Sequence, residues 1–121
     1  MIVYQKIYEE IAEDTSEKIR QDEMRAVRHS INLLAIARKV GPNSREAVEA
    51  LFFFSRLWST ILQDLASPEN GLPRELRAKI ISIGIWMLKH AEAIRQDKES
   101  DFQPLIDISE NIYIGLKAAQ C

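Results

Sequence analysis

Residues 44–66 read SREAVEALFFFSRLWSTILQDLA, and this stretch decides the fold class. Its apolar residues recur three or four positions apart rather than at every second position, which is the period of an α-helix. On a helix they form one stripe of several turns, made of Ala47, Leu51, Phe54, Trp58, Ile61 and Leu65. Asn43, followed three residues later by Glu46, is typical of a capping box and predicts that the helix begins near Ser44.

Three further segments show the same helical spacing, and the few glycines and prolines separate them. The first runs from about Asp14 to Val40, where Gly41 predicts a C-terminal cap and Pro42 ends the helix. The third begins at Pro73 and runs to about Gln96. The fourth begins near Ser100. Inward stripes are predicted at Met24, Val27, Ile31 and Leu34, at Leu76, Ile80, Ile83, Met87, Ala91 and Ile94, and at Leu105, Ile108, Ile112 and Leu116.

Four amphipathic helices joined by short connections predict an all-α fold, an antiparallel four-helix bundle. The length of 121 residues is that of one domain, so we expect a single helical domain over residues 1–121. The first thirteen residues contain Ile2, Tyr4, Ile7, Tyr8 and Ile11. They fit either a short extra N-terminal helix or a mobile segment, and the sequence leaves both open.

Composition excludes several classes of protein. The formal net charge is −2, so the chain as a whole is not built to hold polyanions. The one cysteine, Cys121, cannot form an internal disulfide or a metal cluster. No segment reaches the ~18 apolar residues that span a bilayer, and the start lacks the pattern of a signal peptide. A cytoplasmic protein is therefore expected.

Catalytic and cofactor-binding patterns are missing from the sequence. The two histidines, His29 and His90, fall in different predicted helices, and neither has a partner at the spacing of a zinc pair. Both are expected on the solvated surface. The glycines are too scattered for a phosphate-binding loop, and no nucleophile elbow is present. We therefore expect neither an enzyme nor a metal or cofactor site.

Four large apolar residues lie off the inward stripes, and they are the candidates for partner binding. They are Phe52 and Phe53 on the second helix and Ile85 and Trp86 on the third. They either pack against other helices of the bundle or form an exposed groove for a partner or a second copy.

A basic stripe on the first helix is the second candidate surface. Between Arg25 and Arg45 the chain carries five bases and no acid, and Arg25, Arg28 and Lys39 are the candidates for RNA contact. No aromatic residue interleaves with them, so base stacking is not offered. A solvated basic face is the alternative.

The run DLASPENGLP, from Asp64 to Pro73, resembles the FlaF family of bacterial flagellar biosynthesis proteins. Arg56-Leu57-Trp58 before it and ISIGIW, residues 81–86, after it share the resemblance, as do residues 41–47 and Leu105-Ile106. The similarity covers the chain from about Arg28 onward. Within the motif, Pro68, Asn70 and Pro73 are typical of a tight turn, which is either a well-determined corner of the core or a contact for a partner.

The resemblance implies a cytoplasmic, non-enzymatic role in flagellar assembly. It implies that the chain binds flagellin and promotes its synthesis or secretion, as a chaperone or assembly regulator. It also implies a companion regulator of the FlbT type, which acts on flagellin messenger RNA, so post-transcriptional regulation, direct or through that partner, is the alternative. Trp58, Asp64, Pro68, Asn70 and Pro73 are the family-motif residues.

Overall fold

The computed structural model describes the backbone of residues 2–119 and the side chains of residues 21–115, 117 and 118. Within that part of the chain the regular structure is entirely helical. The helices are α1 (Ile2–Val40), α2 (Arg45–Ala66), α3 (Arg74–Arg95) and α4 (Gln103–Ala119). The predicted all-α fold is confirmed.

The four helices form a bundle in which each helix packs on its neighbours in the ring. α1 packs on α2 and α4, α2 also packs on α3, and the contact between α3 and α4 is the smallest of the four. Arg28 of α1 bonds Glu110 of α4, and Arg38 bonds Gln103. Since residue numbers rise along α1 as they fall along α4, these two helices are antiparallel.

The first helix begins earlier than the sequence predicted. α1 is one helix of 39 residues starting at Ile2, not one that starts near Asp14. The first residues therefore continue α1, and no separate helix precedes it in the described backbone. The side chains of residues 1–20 and Cys121 lie outside the described residues, and so do the predictions made for them.

The helices α2 and α4 begin slightly later than predicted. Ser44, not Asn43, is the N-cap of α2, because its Oγ accepts the backbone N–H of Ala47 at 3.0 Å. The fourth helix begins at Gln103, three residues after the predicted start near Ser100, and the backbone N–H of Gln103 donates to the carboxylate of Asp101 at 2.9 Å. Gly41 ends α1 with φ of 120°, as predicted for a C-terminal cap.

The core joins all four helices in one cluster of buried side chains. Its larger members are Val27, Ile31, Leu34, Leu51, Phe54, Trp58, Met87, Ile94, Phe102 and Leu105. The predicted stripes of α1 and α2 face this core with two exceptions: Met24 is half-buried and lines a cavity with Tyr113, and Leu65 is buried outside the cluster. On α3 the prediction holds only for the C-terminal half, because Leu76 is 44% exposed and Ile83 is 40% exposed. Leu116, the last residue of the α4 stripe, has no described side chain.

Candidate functional site

The structure places the four predicted partner-binding residues on two different faces. Phe52 and Phe53 line a shallow cavity of about 360 Å³ with Arg56, Leu57 and Thr60, all on α2. We call these five residues the α1–α2 patch, because the ring of Phe53 contacts His29 of α1 edge-on at 4.8 Å. No residue of α3 lines this cavity.

Trp86 lies on the opposite flank of the bundle, next to the connection between α3 and α4. Its indole stacks on His90 with the ring centroids 5.1 Å apart. The imidazole Nε2 of His90 lies 2.7 Å from the backbone carbonyl of Asp101, and donates to it in the tautomer that carries hydrogen there. His90 is therefore held between two elements rather than solvated as predicted, and it fixes one face of Trp86. Ile85 is also exposed, but it lies around α3 from Trp86, on the side away from α4.

The α2 side of α3 is tightly packed, which shows which flank of α3 is open. A Cβ on Gly84 would lie 2.7 Å from Cδ2 of Leu62 on α2. A larger residue at position 84 would require the Leu62 side chain to shift. Trp86 and Ile83 lie around the helix from Gly84, toward α4, where the two helices contact each other least.

We call this uncovered region the α3–α4 groove. On α3 it comprises the exposed or half-buried residues Leu76, Ile80, Ile83 and Trp86, and on α4 the half-buried residues Ile108 and Ile112. The flank of α4 toward α1 is identified by Glu110 and Tyr113, both of which contact Arg28, and the two isoleucines lie on the other flank.

The groove is closed at one end and open at the other. Near the α3–α4 connection Ile94, Phe102 and Leu105 are fully buried. Toward the start of α3 the side chains become exposed, and near the end of α4 a Cβ on Gly115 would meet no atom within 4 Å. The inward stripe of α3 thus continues past the point where α4 covers it, which leaves an apolar, helix-lined groove.

Arg28, a predicted RNA contact, is held in an ion pair across α1 and α4. Its two guanidinium nitrogens donate to the two carboxylate oxygens of Glu110 at 2.8 and 3.0 Å. The guanidinium also lies over the ring of Tyr113, 4.3 Å from its centroid. The hydrogen bonds from Arg28 hold the pKa of Glu110 below its ordinary value of 4.5. The charge of Arg28 is therefore already paired with that of Glu110.

The remaining RNA candidates lie apart from each other. Arg25 is exposed, with its guanidinium 4.0 Å from the carboxylate of Asp22. Lys39 is exposed near the other end of the described part of α1. The prediction that no aromatic residue lies by the stripe is wrong, because the bundle brings the ring of Tyr113 on α4 to it. Tyr113 lines a cavity of about 400 Å³ with Arg25, Arg28, His29 and Asn32.

The family-motif turn between α2 and α3 is held together by its own side chains. The Asn70 side-chain amide donates to the backbone carbonyl of Asp64 at 3.3 Å, and its Oδ1 accepts the backbone N–H of Leu72 at 3.0 Å. Arg77 reaches back from α3 to the carbonyl of Ser67. Pro68 and Pro73 are exposed, and Pro73 is the N-cap residue of α3. These contacts support the interpretation of the motif as a structural corner.

Trp58, the remaining family-motif residue, is a core residue. Its side chain is fully buried and packs at a tilt against Phe54, with the ring centroids 6.2 Å apart. It therefore cannot touch a partner without opening the bundle, and it differs in this respect from Trp86, which is 49% exposed.

Two kinds of site are absent from the described residues. No group of three or more histidine, cysteine, aspartate or glutamate residues there is placed to hold a metal ion. Within the same part of the chain, each helix is too short or too polar to cross a bilayer.

Comparison with known proteins identifies the family. No curated protein and no solved structure was found to match the chain. The family model described as flagellar protein FlaF matches residues 4–116. This match is longer than the resemblance noted from the motifs, because it includes most of α1. The chain belongs to the FlaF family of flagellar proteins.

Proposed function

We propose that this FlaF-family protein binds flagellin in the cytoplasm and promotes its synthesis or secretion, without catalysing a reaction. In this proposal an amphipathic helix of flagellin lies in the α3–α4 groove before export. The observation that supports it is the inward stripe of α3, which continues beyond the cover of α4. An amphipathic helix that lays its apolar face in such a groove is a recurring mode of peptide recognition.

The groove has enough apolar surface to contribute to binding. Leu76, Ile83 and Trp86 are each exposed by 40–49%. Complete burial of one such side chain contributes about 1.5–3 kcal/mol, so burying the exposed part of three contributes a few kcal/mol before the cost of association. Trp86 is suited to a central position in an interface, because tryptophan is enriched among residues that dominate binding energy.

The α1–α2 patch is the weaker choice for this role. Phe53 is already half-buried and covered on one side by His29. The guanidinium of Arg56 lies over the ring of Phe52, 5.7 Å from its centroid. A partner that covers Phe52 would displace the guanidinium of Arg56 from its ring, so the net gain at this ring is smaller.

The test compares charge substitutions on the two faces. We expect Ile83→Asp and Trp86→Asp to weaken binding of the flagellin from the same organism at least tenfold, about 1.4 kcal/mol or more. Phe52→Asp, at a more exposed residue on the other face, is the control and leaves binding within about twofold. Binding is measured by titration calorimetry at low and high salt, with circular dichroism to confirm that each variant is folded.

Three outcomes separate the alternatives. Loss of binding only in the groove variants, at both salt concentrations, supports the proposal. Loss of binding only in Phe52→Asp would mean that flagellin binds the α1–α2 patch instead. Unchanged binding in all folded variants, or no binding by the unaltered protein, contradicts the proposed mechanism.

One observation favours a second candidate, post-transcriptional regulation at flagellin messenger RNA, either direct or through an FlbT-like partner. The ring of Tyr113 lies beside the basic stripe, and base stacking on aromatic rings is a common feature of RNA recognition. The pairing of Arg28 with Glu110 counts against it. Direct phosphate binding predicts an affinity that falls steeply with salt and is lost in Arg25→Glu, whereas apolar docking responds to neither.

A further inference from the structure

The α3–α4 groove has a second occupant that can be argued from the chain itself. We propose that two copies associate, and that residues 2–20 of each copy lie in the α3–α4 groove of the other. The proposal follows from the apolar pattern, the charge and the length of that segment, set against the shape and charge of the groove.

The sequence of residues 2–20 is that of an amphipathic helix. Tyr4, Ile7, Tyr8 and Ile11 recur three and four positions apart, which places them on one face. α1 is helical from Ile2. An isolated helix of this length is marginal in water, and most helical stability in proteins comes from packing of the apolar face. The apolar face of this segment is therefore expected to be covered by another surface.

The charges of the segment and of α3 are complementary. From Ile7 to Glu17 the chain carries five acids, Glu9, Glu10, Glu13, Asp14 and Glu17, and no base. From Arg74 to His90, α3 carries four bases, Arg74, Arg77, Lys79 and Lys89, and one acid, Glu75. Arg74, Lys79 and Lys89 are exposed. Opposite net charges on two apolar-faced helices favour their encounter and set their register.

The lengths also match. α1 has 39 residues and α2 has 22, so α1 is longer by about 25 Å at 1.5 Å per residue. α4, which forms one wall of the groove, has 17 residues and a similar length of about 25 Å. The extra length of α1 is therefore sufficient to fill the groove along α4.

Continuity of α1 makes a second copy the occupant rather than the same chain. α1 packs on α2 and α4, and it is helical without a break between Ile2 and Val40. Its first half cannot turn into the groove of its own chain unless the helix breaks. A reciprocal exchange between two copies closes as a symmetric dimer and covers both grooves.

The dimer also supplies a means of regulation, a consequence that rests on the proposed function. The groove stays covered until a flagellin helix displaces the N-terminal segment of the other copy. Flagellin and a second copy then compete for one surface, so that raising the flagellin concentration converts dimers into complexes with one chain of each protein.

The first test measures the mass of the full chain alone by size-exclusion chromatography with light scattering. We expect twice the 13.9 kDa of one chain at high concentration and dissociation on dilution. Ile83→Asp and the double variant Ile7→Asp/Ile11→Asp should each weaken the dimer at least tenfold. Phe52→Asp, on the other face, should leave the mass unchanged. A monomer at every concentration, or a dimer that survives both Ile83→Asp and Ile7→Asp/Ile11→Asp, would overturn the proposal.

Charge is tested with a matched pair of substitutions. Lys79→Glu should weaken the dimer several-fold at low salt, because the new negative charge would repel the acidic segment of the other copy. Lys39→Glu makes the same change in charge near the opposite end of α1 and should leave the dimer unaffected. Equal effects of the two substitutions would contradict the proposed register.

A disulfide test distinguishes exchange between copies from docking within one chain. The variant Ile11→Cys/Ile83→Cys/Cys121→Ser, once oxidised, should migrate as a covalent dimer, and replacing Ile83→Cys with Phe52→Cys should abolish this product. A covalently closed monomer would overturn exchange. None of these three tests contains flagellin, and flagellin binding is measured separately by calorimetry. A dimer that does not bind flagellin therefore refutes the proposed function alone, and a monomer that binds flagellin refutes the dimer alone.

Discussion

At the scale of single residues, the ion pair of Arg28 and Glu110 is the best-defined polar contact between two helices in the described chain. It is bidentate, which fixes the rotation of α4 relative to α1. Both side chains remain more than a third exposed, so solvent screens their attraction. The pair therefore contributes modestly to stability and more to the orientation of α4, which forms one wall of the groove.

The pair makes stability depend on pH in a defined direction. The pKa of Glu110 is lower in the folded protein than its ordinary value of 4.5, because Arg28 hydrogen-bonds the ionised form. Its contribution is therefore complete above pH 4.5 and is lost as the pH falls through the lower, folded pKa. We expect Glu110→Gln to lower the free energy of unfolding by about 0.5–1 kcal/mol at pH 7 and by much less near pH 3.

Urea denaturation at several pH values checks this prediction. Glu49→Gln, at an exposed acid of α2, serves as the control. Its effect on the free energy of unfolding should be the same at pH 7 and pH 3. If Glu110→Gln lowers the free energy of unfolding by the same amount at every pH from 7 to 3, the cause is packing and not charge.

Two glycines within helices give opposite expectations for the same substitution. Gly115 has open space around it, so Gly115→Ala should raise the free energy of unfolding by up to about 1 kcal/mol through helix propensity. At Gly84 the new methyl group meets Leu62 at 2.7 Å and offsets that gain. Thermal unfolding should therefore rank Gly115→Ala above Gly84→Ala. The reverse order would show that α3 does not pack closely on α2.

At the scale of elements, the turn from Ser67 to Pro73 joins α2 to α3 through side-chain bonds rather than through burial. Asn70 is the residue that ties its two ends together, because it bonds the carbonyl of Asp64 and the amide of Leu72. The turn sets where α3 starts and hence which residues of α3 extend beyond the cover of α4.

Substitutions at Asn70 test that role. Asn70→Ala removes these bonds, together with the one from the Asn70 amide to the Asp64 carboxylate, and should lower the free energy of unfolding by about 1–2 kcal/mol. Asn70→Asp keeps the acceptor for Leu72 but loses the donor and places a second carboxylate near Asp64, so it should lower the free energy of unfolding by a similar amount. Glu69→Ala, on the same exposed turn, is the control with an expected change within ±0.5 kcal/mol. Equal free energies of unfolding for all three variants would rule out that the Asn70 side chain holds the turn together.

At the scale of the whole molecule, the bundle is tighter on one side than on the other. α1, α2 and the end of α3 share the buried cluster, whereas the start of α3 is held mainly by α2. Local stability follows the number of buried apolar contacts. The first half of α3 is therefore expected to open more readily than the second half.

Amide hydrogen exchange measures this difference directly. In the free protein, peptides from residues 76–83 should exchange faster than peptides from residues 87–94. Addition of flagellin should slow exchange in residues 76–86 and leave the α1–α2 patch unchanged. Uniform protection along α3 in dilute, unbound protein would contradict the open groove.

The helical class, the core stripes of α1 and α2 and the family were all readable from the sequence. The spacing of Val27, Ile31 and Leu34 and of Phe54 and Trp58 determines which face turns inward, because helix period is a local property of the chain. The motif from Asp64 to Pro73 identified the family for the same reason, since its turn residues are adjacent in sequence.

The tertiary structure alone decided which apolar residues remain uncovered. Ile83 and Met87 belong to one stripe and look alike in sequence, yet Met87 is buried and Ile83 is 40% exposed. The difference depends on where α4 lies relative to α3, which is a contact between distant parts of the chain. Tertiary packing also separates Phe53 and Trp86, which the sequence grouped as candidates for one groove and which lie on opposite flanks of the bundle. A helix period determines a face, but only the packing of the other helices determines whether that face is filled.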